Sequence, residues 1–314
     1  MQKISNRLNS IHHPLSTQDQ ATVADLRAYT APFKGAAFGL ESRELYEAFM
    51  NNVSAAEGVQ YEPADVGGVK GFWCNPTHPR SGVATLFLHG GGYTMGSAQA
   101  YRRFAGHFAQ RLQAKVFIAD YRLAPEHPFP AALEDAHSAY LGLLAAGVTQ
   151  VVVIGDSAGG GLSLSLISLL QNEAEKTVQM PTSVVVMSPW TDLSMSGESI
   201  ASKAEEELYL TKEMLQTCAD MYLGEEKASH PQASVLNAPL HVLPPLQVHV
   251  GTSEILLDDA VRYAQRAQGE ATNVTLHVWE GMPHVFQNCP GDLQAADQSL
   301  EIISTFIVSH LKHV

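Results

Sequence analysis

From Val83 onward, short apolar runs alternate regularly with longer amphipathic segments. Short continuous apolar runs are typical of buried strands, and apolar residues at intervals of three and four are typical of helices. The pattern predicts strands near 83–88, 115–119, 150–155, 183–188, 246–250 and 273–279, and helices near 97–113, 131–146, 157–173, 253–269 and 293–311. Such alternation predicts a mostly parallel sheet with helices on both faces.

The amino-terminal region lacks this alternation. Residues 1 to about 55 show helical periodicity without a strand. Two groups of apolar residues there share helical spacing, namely Val23, Leu26 and Tyr29, then Leu45, Ala48 and Phe49. Residues Val59 to Cys74 then alternate around Gly67-Gly68, which predicts an antiparallel hairpin. We therefore expect two helices before the sheet begins.

A second break in the alternation lies between Pro189 and Pro244, with helical patterns around 205–223. A stretch of that length is too long for a simple loop and predicts a cap over the strand ends. The predicted fold class is α/β, with a mostly parallel central sheet, helices on both faces and a helical cap. The predicted domains are N-terminal cap helices at 1–55, an α/β body at 56–189 and 241–314, and a cap insertion at 190–240.

The composition of the 314 residues, 45% hydrophobic and 16% charged, is that of a globular chain with a sizeable core. A net charge of -13, with no basic cluster beyond Arg102-Arg103, argues against nucleic acid or an anionic membrane as a partner. Cys74, Cys218 and Cys289 are far apart in the sequence and predict free thiols. Because neither a signal segment nor a membrane-length apolar run is found, we expect a cytoplasmic location. The sequence is compatible with a homodimer.

One apolar run ends in a motif typical of a catalytic serine. Val151 to Ile154 predict a buried strand, Gly155-Asp156-Ser157-Ala158-Gly159 follows, and leucines from Leu162 onward predict a helix. This context is that of a nucleophile elbow, in which a strained turn raises the serine hydroxyl above the sheet. Side chains at Gly155 and Gly159 would collide with the neighbouring strand and helix. A glycine-rich turn with an incidental serine is the alternative interpretation.

A second glycine-rich segment, His89-Gly90-Gly91-Gly92-Tyr93, follows the strand predicted at 83–88. It would lie at the sheet edge where open α/β folds bind ligands. The backbone N–H groups of Gly91, Gly92 and Ala158 are therefore predicted to form an oxyanion hole. A phosphate-binding loop is disfavoured because neither G-x-G-x-x-G spacing nor a Gly-Lys-Ser/Thr ending is present.

A serine nucleophile of this kind needs a base later in the chain, in a loop after a late strand. His284 follows the strand predicted at 273–279 and a turn, so it is the predicted base. Four other histidines lie within predicted strands, the last helix or the tail, and are interpreted as structural or surface residues: His249, His277, His310 and His313.

The acid of such a triad is expected where the preceding strand ends. Glu254 follows the strand predicted at 246–250 and is our choice. Asp258 and Asp259 are rivals that would lie one turn into the following helix. Asp192 has the correct order in the chain but comes too early, and is interpreted as a structural turn or pocket-wall residue.

Together these motifs resemble those of the bacterial hormone-sensitive-lipase-like esterases of the α/β-hydrolase superfamily. The resemblance spans roughly residues 60 to 310 through four segments: His89-Gly90-Gly91-Gly92-Tyr93, Asp120-Tyr121-Arg122-Leu123-Ala124-Pro125-Glu126, Gly155-Asp156-Ser157-Ala158-Gly159-Gly160 and the His284 loop. It implies a triad of Ser157, Glu254 and His284, an oxyanion hole in the glycine segment, and a cap at about 1–55 and 190–240. Many relatives have aspartate followed by proline at the acid position, where this chain has Glu254-Ile255, so Asp258 stays an alternative.

The same resemblance implies that the segment from Asp120 to Asp135 supports the site. The residues given this structural role are Arg122, Glu126, His127 and Asp135.

The predicted function is hydrolysis of short to medium acyl esters by a serine carboxylesterase that needs no cofactor and no metal. Its partner would be a small-molecule ester. Aromatic residues are expected to line the substrate pocket, although packing of cap on body is the alternative for each: Tyr93, Trp190, Phe33, Phe38, Tyr209 and Tyr222. The competing functions are a lactone or amide hydrolase with the same triad and a non-catalytic small-molecule binder.

Overall fold

The computed structural model describes residues 8–32, 34–35, 40–173, 178–241, 243–270 and 273–312. Its strands are β1 (Ser10–His13), β2 (Val59–Val66), β3 (Val69–Pro76), β4 (Val83–Leu88), β5 (Lys115–Ala119), β6 (Gln150–Asp156), β7 (Ser183–Met187), β8 (Leu246–Gly251) and β9 (Val274–Trp279). Its helices are α1 (Thr17–Thr30), α2 (Arg43–Asn51), α3 (Ala98–Leu112), α4 (Ala131–Ala145), α5 (Ser157–Glu173), α6 (Ser199–Ser202), α7 (Lys212–Leu223), α8 (Leu257–Glu270) and α9 (Gln294–His310).

The strands form one sheet in the order β1-β9-β8-β7-β6-β4-β5-β3-β2. In this sheet order, all neighbouring strands from β1 at one edge as far as β5 run parallel. At the other edge, β3 pairs antiparallel with both β5 and β2. The hairpin and every strand and helix expected from Val83 onward are present within a few residues of the predicted bounds. The predicted α/β fold with a mostly parallel sheet is confirmed.

Helices cover both faces of this sheet. The sequence of β6 shows why both faces must be covered. Val151 and Val153 belong to the core formed with α4, α5 and α8, whereas Val152 and Ile154 belong to the core formed with α3 and α9. Successive strand residues point to opposite faces, so a strand buried on both sides is apolar at every position. All four side chains are fully buried.

The expectation that no strand precedes residue 55 is wrong, because β1 pairs in parallel with β9 at the sheet edge. The rings of His13 and Trp279 stack with centroids 3.7 Å apart, and His13 Nε2 lies 2.9 Å from His277 Nδ1. Most of β1 is exposed, so it lacks the apolar alternation that reveals a strand in sequence. Backbone pairing and the contacts of His13 with Trp279 and His277 hold it instead.

The apolar spacing locates α1 and α2, and it identifies two packing residues of α1, Val23 and Leu26, but not the face of α2 that packs. Tyr29 and Leu45 are 71% and 67% exposed. Helix α2 instead packs through Tyr46 and Met50, with the Arg43 guanidinium donating to the carbonyl oxygen of Thr94 at 2.7 Å. The inward face therefore carries polar groups with specific partners, which an apolar count overlooks.

Between β7 and β8 the chain forms α6, α7 and connecting loops, and the helix expected near 205–223 begins only at Lys212. The amino-terminal region reaches this insertion, since Arg27 donates to the carbonyl oxygens of Glu205 and Glu206. Helix α7 passes close to the glycine segment, where a Cβ on Gly92 would lie 2.7 Å from Cys218 Sγ. Both regions thus lie next to the segment expected to carry the oxyanion hole, and their role as one cap remains a prediction.

Candidate active site

Ser157 stands at the junction of β6 and α5 with φ +52°, a conformation that residues other than glycine rarely adopt. The glycines on either side of it allow the turn. A Cβ on Gly155 would lie 2.3 Å from the carbonyl oxygen of Gly159, and one on Gly159 would lie 2.0 Å from that of Leu88. Strand and helix therefore approach as closely as the motif predicts.

The hydroxyl of Ser157 contacts an imidazole. His284 Nε2 lies 2.9 Å from Ser157 Oγ, and His284 Nδ1 lies 2.8 Å from Glu254 Oε2. A carboxylate can only accept, so Nδ1 carries the hydrogen and Nε2 is left to accept the hydroxyl proton. The structure brings the three residues selected from the sequence into one hydrogen-bonded chain.

The second oxygen of Glu254 is held by two further donors. Glu254 Oε1 accepts the Gly251 N–H at 2.7 Å and the Ser188 hydroxyl at 2.8 Å. Ser188 Oγ in turn accepts the Val285 N–H at 3.1 Å. Because Glu254 is fully buried, these bonds replace the water that its charge would otherwise need. Ser188 thus connects the acid to the loop that carries His284.

The rival carboxylates have other partners. Asp258 accepts the Ser199 N–H at 2.9 Å, and Asp259 accepts the Asp192 N–H at 2.8 Å. Asp192 accepts hydrogen bonds from serines of its own turn, as a structural turn residue does. None of the three carboxylates bonds to His284, so the geometry favours Glu254.

The charges around His284 prepare it to be protonated. Burial lowers the pKa of His284, but the hydrogen bond that His284 donates to Glu254, together with the Glu254 charge, outweighs burial and holds the pKa above its ordinary value. The carboxylates of Glu207 and Asp156 act in the same direction. The site is thus suited to stabilise the imidazolium that forms when the Ser157 hydroxyl gives up its proton.

The glycine segment provides free backbone donors beside Ser157. Gly91 and Gly92 have φ of +113° and +61°, and a Cβ on Gly91 would lie 2.3 Å from the carbonyl oxygen of Met95. Within the described ranges, the N–H groups of these glycines bond to no other residue. Ala158 is the second residue of α5, and the first four N–H groups of a helix have no intrahelical acceptor. These donors match what an oxyanion hole requires.

The segment from Asp120 to Asp135 supports the strand that leads into the glycine loop. Tyr121 donates to the carbonyl oxygen of His89 at 2.6 Å, and the two rings stack with centroids 4.3 Å apart. Arg122 pairs with Asp135 at 2.9 Å, which ties the ends of the segment together. These contacts are those of a scaffold.

Three of the aromatic residues expected in a pocket wall, Tyr93, Trp190 and Tyr222, are packed in the interior. Tyr93 and Trp190 are each 1% exposed, and Tyr93 stacks on Tyr222 of α7 with centroids 3.8 Å apart. The Trp190 N–H donates to the carbonyl oxygen of Ser157 at 2.9 Å, so its backbone adjoins the nucleophile. In this conformation the three rings join the insertion to the body.

Tyr209, another residue selected for the pocket, lies where the two non-alternating regions meet. Its ring centroid is 6.0 Å from that of Phe49 in α2. The remaining two selected residues, Phe33 and Phe38, lie outside the described residues.

Sequence reasoning missed three polar residues that contact the site: Ser188, Glu207 and Tyr46. Ser188 carried a usable signal, because it is the first polar residue after the buried strand β7. Glu207 and Tyr46 gave none, since each acts on residues far away in the sequence.

Neither a metal-binding cluster nor a membrane-spanning helix is found among the residues that the structure describes. No three side chains among histidine, cysteine, aspartate and glutamate converge there in a metal-binding group. Across the same residues, no helix combines the length and apolar character needed to cross a bilayer.

Comparison with known proteins gives consistent matches. A protein-family model described as an alpha/beta hydrolase fold matches residues 85–288. An acetyl-hydrolase of Streptomyces hygroscopicus is 35% identical, over 77% of this chain and 80% of that protein. An esterase of Acinetobacter venetianus is 33% identical, over 80% and 82%. A solved esterase from the bacterial hormone-sensitive lipase family superposes with a TM-score of 0.87 at 34% identity, covering 95% of this chain and 99% of that one.

Proposed function

This chain belongs to the bacterial hormone-sensitive-lipase-like esterases of the α/β-hydrolase superfamily, and starting from there we propose that it hydrolyses short to medium acyl esters through Ser157, His284 and Glu254. That it is a carboxylic ester hydrolase follows from its relatives. The observation that carries the assignment of residues is the unbroken chain of hydrogen bonds of 2.9 and 2.8 Å from hydroxyl to carboxylate. A relative named acetyl-hydrolase supports a short acyl group.

In the proposed reaction, Ser157 Oγ attacks the ester carbonyl carbon while its proton passes to His284 Nε2. The N–H groups of Gly91, Gly92 and Ala158 stabilise the negative charge that develops on the carbonyl oxygen. His284 then gives the proton to the leaving alcohol as the C–O bond breaks. Water then gives a proton to His284 and attacks the acyl carbon, the bond to Ser157 Oγ breaks, and His284 returns the proton to Oγ as the carboxylic acid leaves. Glu254 accepts the His284 Nδ1–H throughout.

The test is the variant Ser157→Ala, assayed on p-nitrophenyl acetate, butyrate and octanoate, a γ-lactone and an N-acetylated amide. Removing a serine-hydrolase nucleophile costs about 10⁶ in kcat. The matched control is Ser304→Ala, which removes a buried hydroxyl in α9 that donates to Leu300 at 2.7 Å.

The wild type and the Ser304 variant should each take up one equivalent of a serine-directed phosphonate, and the Ser157 variant none. A folded Ser157→Ala protein with more than about a tenth of wild-type kcat would exclude Ser157 as the nucleophile. Faster turnover of the lactone or the amide than of every ester would reassign the substrate and leave the triad intact.

A further inference from the structure

Three polar side chains that the proposed mechanism does not use form a chain beneath the site, which we call the Tyr–Asp chain: Tyr46, Tyr101 and Asp156. The hydroxyls of Tyr46 and Tyr101 lie 2.6 Å apart, and Tyr101 donates to Asp156 Oδ2 at 3.1 Å. Asp156 Oδ1 accepts the Gly90 N–H at 3.1 Å. The chain therefore runs from α2 through α3 to the glycine segment.

Both ends of the chain touch the reacting region. Asp156 immediately precedes Ser157, and a Cβ on Gly90 would lie 2.4 Å from Asp156 Oδ2 and 3.2 Å from Ser157 Cβ. A Cβ on Gly91 would lie 3.3 Å from Cε1 of Tyr46. The ring of Tyr46 thus lies against the glycine whose N–H is proposed to face the oxyanion.

The Tyr–Asp chain lies in the interior of the protein, where a polar group without a hydrogen-bond partner costs stability. Tyr101 and Asp156 are each 1% exposed. Burial raises the pKa of Asp156 to about 7, against the opposing effects of the Tyr101 hydrogen bond, the His284 charge and the Gly90 N–H. Losing the Tyr101 donor would leave Asp156 Oδ2 unsatisfied and perturb the carboxylate that also accepts the Gly90 N–H.

We propose that Tyr46, Tyr101 and Asp156 are positioning residues for ester hydrolysis, holding the Gly90–Gly92 backbone against Ser157 so that its N–H groups meet the oxyanion. This proposal rests on the proposed function, because it assumes that Ser157 and these N–H groups act together. It also assigns the amino-terminal helix α2 a part in the chemical step, through the Tyr46 hydroxyl.

The experiment compares Tyr101→Phe and Tyr46→Phe with Tyr140→Phe as a matched control. Tyr140 is a fully buried tyrosine of α4 that donates to the carbonyl oxygen of Gln179 at 2.6 Å, away from the site. Active sites are counted by phosphonate titration, and thermal unfolding is measured for each variant. Loss of one oxyanion donor costs about 10² to 10³ in kcat, and a misplaced donor should cost less.

We expect kcat per active site to fall about tenfold or more in Tyr101→Phe and less in Tyr46→Phe, with KM within about twofold of wild type. Affinity for a trifluoromethyl ketone, which places an oxyanion on the nucleophile, should fall by the same factor as kcat/KM. The Tyr46 change should add little in the Tyr101→Phe background, because the chain is already broken there. Tyr140→Phe should lower thermal stability without changing kcat or ketone affinity.

Equal losses of thermal stability in all three variants with wild-type kcat would overturn the proposal and reduce the Tyr–Asp chain to a structural network. Additive effects of the Tyr46 and Tyr101 changes on kcat would overturn the claim that the Tyr–Asp chain acts as one connected unit. Activity that survives in Ser157→Ala would instead overturn the proposed function, and the positioning proposal with it. The two failures are distinguishable because the first two outcomes leave the role of Ser157 intact.

Discussion

The carboxylate of Glu207, in the insertion, accepts the backbone N–H of Ile255 at 3.1 Å. Ile255 directly follows Glu254, so this bond fixes the loop that presents the acid to His284. The other oxygen of Glu207 accepts the N–H groups of Tyr209 and Leu210 at 2.9 and 3.3 Å. One fully buried side chain therefore links the insertion to the triad acid.

We predict that Glu207→Gln lowers kcat/KM about 10- to 100-fold. Both oxygens of Glu207 accept backbone N–H groups, so the NH2 of glutamine would face an N–H in either orientation and displace the acid loop or the insertion. The same change at Glu205, which is exposed two residues earlier, is the control and should leave kcat/KM unchanged. Both variants would be measured by steady-state kinetics. Wild-type kcat/KM in a folded Glu207→Gln protein would show that the acid loop holds its position without the insertion.

Exchange of the acid itself should distinguish Glu254 from Asp258. Glu254→Gln should cost about 10⁴ in kcat, because an amide cannot hold the imidazolium and the donors of Gly251 and Ser188 at once. Asp258→Asn should leave kcat nearly unchanged and cost at most about 1 kcal/mol of stability, since the remaining amide oxygen can still accept the Ser199 N–H. The reverse order of the two kcat values would transfer the role of acid to Asp258.

The pH dependence of kcat/KM should report the free enzyme's His284. Its pKa is raised, and only the neutral imidazole can accept the Ser157 proton, so activity should rise with pH through a midpoint above about 6.5. In Glu207→Gln the midpoint should move to lower pH, because a negative charge that favours the imidazolium is gone. An unchanged midpoint in that variant would mean that the Glu207 charge does not reach the imidazole.

Asp19 of α1 should matter for stability and not for catalysis. Its carboxylate accepts the N–H groups of Gln294 and Ala295, at the start of α9, at 2.7 and 3.1 Å. Asp19→Ala should cost about 0.5 to 2 kcal/mol of unfolding free energy in urea, as the loss of a helix cap does. Asp25→Ala, at an exposed position of the same helix, is the control. Equal midpoints for the two variants would contradict the capping role.

The body of the fold was predictable because its information is local. A run such as Val151 to Ile154 is apolar at every position because both of its faces are buried, and its ends are marked by the residues that turn the chain. Ser157, His284 and Glu254 could be selected for the same reason, since each follows within five residues the end of a strand that the pattern reveals.

The features that the sequence did not predict depend on partners that are far away in the sequence. Strand β1 has almost no apolar signal, because its stability comes from β9 and the Trp279 ring. Glu207 resembles the exposed glutamates beside it in sequence, and only the fold buries it against Ile255. Leu45 was misleading for the opposite reason, since an apolar residue at helical spacing can face solvent.

The pairing of β1 with β9 determines the order in which the fold can be completed during synthesis. His13 and its partner His277 are 264 positions apart in the chain. At about 5 to 20 residues per second, a ribosome needs roughly 13 to 50 s to make that stretch, so β1 is made that long before the strand it pairs with. Until then both β1 and the outer edge of β8 lack their neighbours, and unpaired edges of this kind are where a nascent chain is open to wrong pairing. A chain interrupted before residue 274 can therefore contain the serine elbow and still leave its own first strand unpaired.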